Sequence, residues 1–195
     1  MNYDPIHIGN SFRIVAPGTA ASPGRIDLVM ARGAFGSGEH ETTASCIEIM
    51  EALDLTGKRF LDLGSGTGIL AIAAVKLGAA GGVCVDIEED AVESARHNCK
   101  LNRVGSEIEH LCGTLDDIAE SDFDVVLANI YGDILLAICD QLVPKVKPDG
   151  TLLLSGILWE YNFDVRHKYE RTGCELVRNR MLEEFSTVLL RKGTL

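Results

Sequence analysis

From residue 59 onward the chain alternates between short apolar runs and longer segments in which apolar residues return every three or four positions. A consecutive apolar run suits a strand covered on both faces, and a three-to-four period gives a helix one apolar stripe. The alternation therefore predicts an α/β sheet with helices on both sides. Runs at 59–63, 82–86, 108–112, 123–129 and 151–154 are read as strands. After the first of them Leu70, Ala73, Ala74 and Leu77 share a helical face that ends near Gly78. Helical periodicity returns at 90–102, and again where Leu135, Ile138, Cys139 and Leu142 align. Pro148-Asp149-Gly150 reads as a turn. A helix at 159–172 leads to a closing pair of strands, 174–181 and 185–191, around Leu182-Glu183-Glu184. Upstream, 6–8, 12–16 and 27–30 read as short strands separated by Pro17-Gly18 and Pro23-Gly24 turns, too few for a core of their own. A helix at 42–53 turns Cys46, Ile49, Met50 and Leu53 inward.

Composition fits this picture. With 195 residues, 46% hydrophobic and 24% charged, the chain is expected to be one soluble domain with room for a full core. Its longest apolar stretch stops at Lys76, far short of a membrane span, and no charged start leads into an apolar segment, so a cytoplasmic protein is expected. The six cysteines, at 46, 84, 99, 112, 139 and 174, form no Cys-x-x-Cys pair and mostly occupy apolar positions. They are read as buried free thiols, and no metal is expected. A formal net charge of −11 without a Lys/Arg cluster makes nucleic acid an unfavourable partner and a basic protein a favourable one.

The candidate chemistry begins at Phe60-Leu61-Asp62-Leu63-Gly64-Ser65-Gly66-Thr67-Gly68-Ile69-Leu70, with Val83-Cys84-Val85-Asp86 one strand later. Glycines at a strand-to-helix turn let the backbone approach a ligand, and a carboxylate ending the next strand can accept from two ribose hydroxyls. A dinucleotide fingerprint from Gly64 would need glycine at 69, where the chain has Ile69. The run Gly64-x-Gly66-x-Gly68 preceded by Asp62 instead resembles the first motif of S-adenosylmethionine-dependent methyltransferases.

Three further segments narrow the resemblance: Ala34-Phe35-Gly36-Ser37-Gly38-Glu39-His40-Glu41-Thr42-Thr43, Leu127-Ala128-Asn129-Ile130-Tyr131-Gly132, and Leu-Leu-Leu-Ser-Gly-Ile-Leu at 152–158. With the glycine motif they resemble the catalytic domain of the ribosomal protein L11 methyltransferase family over nearly the whole chain. The resemblance implies a three-layer Rossmann-like methyltransferase fold: a seven-stranded, mostly parallel sheet with an antiparallel last strand. It implies S-adenosylmethionine as methyl donor, S-adenosylhomocysteine as product, and lysine side chains and an N-terminal α-amine of L11 as acceptors. The cofactor contacts expected are Thr43, Gly64, Gly66, Gly68, Asp86, Ile87, Leu115 and Asn129, with Asn129 and Tyr131 on the catalytic side. The chain departs from the family pattern at Glu41, where Pro is usual, and at Ser65, often Cys. Fewer than about 35 residues precede the glycine loop, below the roughly 40 at which a chain folds unaided. One methyltransferase domain over 1–195 is therefore expected, with 1–40 as a short β lead-in and no separate recognition domain.

Each position has its chemical reason. Asn129 ends the fourth strand, where open parallel sheets bind ligands, and its amide oxygen can accept from an attacking amine. Ile130 and Tyr131 can wall that amine off. Glu88 to Asp90 are read as caps of the following helix. In Gly113-Thr114-Leu115-Asp116-Asp117, Leu115 is expected on the adenine ring and Asp116 at its amino group. Thr43 is expected at the methionine carboxylate, with a lid at 36–38. His40 is read as loop-ordering, because a lysine amine with a reference pKa near 10.4 can lose its proton to water. Trp159 and Tyr161 either line the acceptor channel or pack their helix. The function expected is amine methylation on a protein. Small-molecule N- or O-methylation and an inactive cofactor-binding subunit stay open, and the sequence assigns no oligomeric state.

Overall fold

A computed structural model of the chain describes residues 4–31 and 40–194. The lead-in forms a three-stranded sheet in the order β1 (Ile6–Ile8), β2 (Phe12–Val15), β3 (Ile26–Val29), with β1 antiparallel and β3 parallel to β2. Helix α1 (Glu41–Met50) follows. The remaining elements are β4 (Arg59–Leu63), α2 (Ile69–Lys76), β5 (Gly81–Asp86), α3 (Glu89–Leu101), β6 (Ile108–Cys112), β7 (Phe123–Asn129), α4 (Gly132–Leu142), β8 (Val146–Leu158), α5 (Trp159–Arg171), β9 (Cys174–Met181) and β10 (Phe185–Lys192). They build a seven-stranded sheet in the order β6-β5-β4-β7-β8-β10-β9. Only β10 runs against its neighbours, inserted between β8 and β9. This is the α/β arrangement the sequence pattern implies.

Successive residues of a strand point to opposite faces, and the strands divide accordingly. Phe60, Cys84, Val125, Leu127 and Leu153 pack with α1, α2, α3 and the lead-in strands. Leu61, Leu63, Val83, Val85, Val126, Ala128, Leu152 and Leu154 pack with α4 and α5. Burial on both faces explains why these strands read as continuous apolar runs rather than alternating ones.

The lead-in has no core of its own, as its few apolar residues imply. It shares one: Ile8, Phe12, Ile14, Leu28 and Met30 sit in the same cluster as Ile47, Met50 and Ile72. Two buried asparagines, Asn98 of α3 and Asn102 at its C-terminal cap, fasten it further. Val29 N–H donates to Asn102 Oδ1 at 2.9 Å and Ala31 N–H to Asn98 Oδ1 at 3.0 Å, while Asn102 Nδ2 returns a bond to the Val29 carbonyl at 2.7 Å. A buried amide satisfied on both sides holds register better than apolar contact alone.

Most boundaries fall within a residue or two of the pattern, and two differ by more. The Pro148-Asp149-Gly150 turn does not precede a strand; it bulges from within β8. Val146 pairs with Phe123 and Thr151 already pairs with Val125, so the intervening residues loop out and the ladder resumes. Pro148 has no N–H for the ladder, and Asp149 takes a left-handed φ of +60°. Helix α1 stops at Met50, and Leu53 follows it in a turn. No helix among the described residues is long and apolar enough to cross a membrane.

Candidate active site

Strand order reverses between β4 and β7, and in open parallel sheets the crevice at such a switch point, outside the carboxyl ends of the strands, receives ligands. A cavity of about 630 Å³ opens there, within the size range of small-molecule sites.

One wall is the turn from β4 into α2. Gly64 and Ser65 N–H both donate to the Val85 carbonyl, at 2.9 and 3.1 Å, which ties the turn to β5. Gly64 has φ +70°, and a Cβ there would overlap the Ile130 side chain, so only glycine lets the β7–α4 loop close on this turn. Asp86 ends β5 in the cavity wall. Its Oδ2 accepts from Gly66 N–H at 2.8 Å and its Oδ1 from Glu88 N–H at 3.1 Å. A carboxylate offers about four acceptor sites, so both oxygens retain capacity for a ligand. Ile87 lies exposed beside it, and Gly113, Thr114 and buried Leu115 form the far lining. Leu115 is held by a capping box in which Asp117 accepts from the Thr114 N–H at 2.8 Å and hydroxyl at 3.0 Å.

The other wall joins α1 to the end of β7. Asn129 Nδ2 donates to the buried Thr43 hydroxyl at 3.4 Å, which leaves its Oδ1 to accept. Gly156, at φ +76°, backs this loop: a Cβ would stand 2.7 Å from the Ile130 carbonyl oxygen and 3.2 Å from Asn129 Oδ1. Tyr131 is 66% exposed at the rim. His40 caps α1, its Nδ1 accepting from Thr42 N–H at 3.4 Å and bonding the Thr42 hydroxyl at 2.8 Å, with the ring edge-on to Phe185 at 5.1 Å. His40 is thus a cap of α1, and the loop it was expected to order lies outside the described residues.

Thr43, Gly64, Gly66, Asp86, Ile87, Leu115, Asn129 and Tyr131 thus converge on one cavity. Gly68 does not line it; this glycine starts α2 and packs against Ala95 of α3, where a Cβ would stand 3.1 Å from the alanine Cβ. Asp116 is exposed and outside the lining. Tyr161 packs on Gly132 of α4, and Trp159 lies outside the cavity. The lid expected at 36–38 falls outside the described residues.

Three residues at or beside the cavity carry no site role in the sequence reading. Asp62, only 1% exposed, reaches the cavity with Oδ2 unpartnered. Burial pushes its carboxyl up to about 7, against a hydrogen bond from Ala71 N–H and with repulsion from Asp86. Glu41 accepts from the backbone N–H groups of Glu183 at 3.0 Å and Glu184 at 3.3 Å, tying α1 to the tip of the β9–β10 hairpin. The only sequence signal was its departure from the family's proline. Phe185 lines the cavity from that same hairpin, with nothing in its local sequence to mark it.

A family model described as Ribosomal protein L11 methyltransferase (PrmA) matches residues 1–193. Two proteins named ribosomal protein L11 methyltransferase, from Exiguobacterium sp. and Geobacter metallireducens, are 34% and 41% identical to this chain over 194 and 195 residues. Each alignment takes in 98% of this chain but 62% and 64% of the relative, so the chain spans less than two thirds of their length. A solved structure, ribosomal protein L11 methylase from Lactobacillus delbrueckii subsp. bulgaricus, superposes with a TM-score of 0.88 at 26% identity, covering 97% of this chain and 98% of that one.

Proposed function

The chain belongs to the ribosomal protein L11 methyltransferase family, and from that membership we propose that it methylates protein amines, lysine side chains foremost, using S-adenosylmethionine and releasing S-adenosylhomocysteine. The observation that carries this reading is Asn129, fixed by Thr43 at the cavity wall opposite Asp86 with its amide oxygen free to accept. A pure cofactor-binding module has no use for such an amide. When bound, S-adenosylmethionine would supply an electrophilic methyl carbon on a sulfonium, whose C–S bond electrons would leave with S-adenosylhomocysteine as an uncharged amine takes the methyl.

The chain's own residues then mainly bind and orient. Asp86 takes the ribose hydroxyls, Leu115 and Ile87 take the adenine, and Gly64 and Gly66 bring backbone close to the donor. Thr43 supports the methionine end. Asn129 Oδ1 accepts from the incoming amine and aims its lone pair, while Tyr131 shields the amine's alkyl stem. Proton loss to water before binding suffices for a lysine, so no base is assigned, and His40 keeps its Nδ1 in the cap of α1. The lead-in strands are taken as part of this one catalytic unit because they share its core. With a ribosomal protein as acceptor, the proposed reaction is a cytoplasmic one.

The test is transfer itself. Labelled S-adenosylmethionine with purified L11 and other basic proteins should give labelled protein with the label on lysines; label only in small molecules, or none, would overturn the reading. Asn129→Ala should lower turnover by roughly ten- to a thousandfold, about 1.4 to 4 kcal/mol of barrier, with a smaller loss of donor affinity.

A further inference from the structure

The first two turns of α5 carry large aromatic side chains in solvent. Trp159 is 55% and Phe163 64% exposed, although most large apolar side chains among the described residues are buried. Four residues apart, they share one helical face. Neither is floppy: the Trp159 indole N–H donates to the Leu182 carbonyl and its backbone N–H to the Glu184 carbonyl, both at 3.3 Å, and Phe163 stacks on His167 at 5.6 Å. Carboxylates surround them. Glu160 and Asp164 interleave with the aromatics on the helix, and Glu183 and Glu184 stand at the hairpin tip that Trp159 bonds. All four are exposed, and none has an ion-pair partner among the described residues. Of the cations further along α5, Lys168 pairs with Asp140, Arg166 bonds the neutral amide of Asn162, and Arg171 lies at the helix's last residue, away from the two aromatics. The surface also adjoins the cavity mouth, since Leu158, just before Trp159, pairs with the cavity-lining Phe185.

We propose that the Trp159–Phe163 face of α5 and the hairpin tip at 182–184 form a docking surface for a Lys/Arg-rich stretch flanking the amine to be methylated. The inference rests on the amine-transfer reading above and adds where the acceptor chain lies. Aromatic faces attract ammonium and guanidinium groups, and carboxylates around them supply the charge that a basic segment needs. Spacing agrees as well. A helix rises about 1.5 Å per residue, which sets the two aromatics about 6 Å apart. Alternate side chains of an extended peptide stand about 6.6 Å apart on one side, so the fitting ligand carries Lys or Arg at alternate positions. A second copy of this chain, itself at net charge −11, would meet like charge here.

Trp159 is the single tryptophan, so its fluorescence reports this surface alone. A peptide of alternating lysine and glycine should shift the emission saturably, and the same peptide with glutamate for lysine should not. Binding should weaken about fivefold between 0.05 and 0.3 M salt. The double variant Glu160→Gln, Glu184→Gln and the single variant Phe163→Ala should each raise KM for a lysine peptide or basic protein about tenfold, with kcat and donor affinity unchanged. An unmoved emission, an equal response to the glutamate peptide, a signal that follows protein concentration alone, or an unmoved KM in the variants would each overturn the docking surface. Binding at Trp159 without methyl transfer to any amine would leave this surface standing and sink the proposed activity instead.

Discussion

At the scale of single residues, two aspartates a strand apart do opposite things. Asp86 is half-buried, holds two backbone N–H groups and keeps acceptor capacity toward the cavity. Asp86→Ala should weaken S-adenosylmethionine binding by on the order of 2 to 4 kcal/mol, the worth of two hydrogen bonds to an ionised acceptor. Calorimetry that found the variant within about threefold of the parent would remove Asp86 from the site. Asp62 is buried, and its carboxyl is pushed up to about 7. Its unfolded value is near 3.9, so between about pH 4 and 7 the folded state holds a proton that the unfolded state has lost. Stability from this group is therefore greatest at low pH, falls across that window, and stays reduced above it. Asp62→Asn cannot ionise and should flatten the slope, a difference of a few kcal/mol at most between about pH 5 and 8. Melting curves with the same slope in parent and variant would refute the assignment. Asp86 was legible in sequence because a strand end and a glycine turn are local signals. The fate of Asp62 was not, since desolvation depends on the packing of α2 above it.

Among the elements, α1 and the β9–β10 hairpin meet although Glu41 lies 142 residues from Glu183. The tie matters because α1 also presents Thr43 to Asn129, while the hairpin presents Phe185 to the same cavity. Glu41→Ala frees two backbone N–H groups at the tip. Exchange at the Glu183 and Glu184 amides should then quicken about tenfold, equivalent to about 1.4 kcal/mol of local opening, with little change in global stability. Equal exchange in both proteins would show that the tip holds without Glu41. This contact was invisible in the sequence because no periodicity encodes a partner so distant. The strands and helices themselves were readable because burial on two faces writes apolar runs and burial on one writes a helical stripe. Inside β8 that logic reached its limit. Pro148 and Gly150 announce a turn correctly, but only the pairing of Thr151 next to that of Val146 shows that the strand continues past it.

For the whole molecule, a charge of −11 favours basic acceptors at long range. Turnover of a basic protein, read as kcat/KM, should fall as salt is raised, because steering between exposed charges is screened over about 8 Å at physiological ionic strength. Donor affinity, set inside the cavity, should change far less, and a salt-independent kcat/KM would rule out steering. The placement of β10 bears on how the protein is made. Strand β8 precedes it by a helix and another strand, yet β10 must slot between β8 and β9. A chain emerging from the ribosome at about 5 to 20 residues per second therefore carries β8 with an open edge until 185–192 appear. A version ending at Glu184 is expected to self-associate, visible as light scattering under conditions where the longer chain stays clear. Phe185 belongs to that late strand and Gly156 to the edge awaiting it, so the cavity is complete only after both have met. A ligand that needs both Phe185 and Gly156 in its walls can stabilise the fold only once 185–192 have paired, so it gives the unfinished edge no protection.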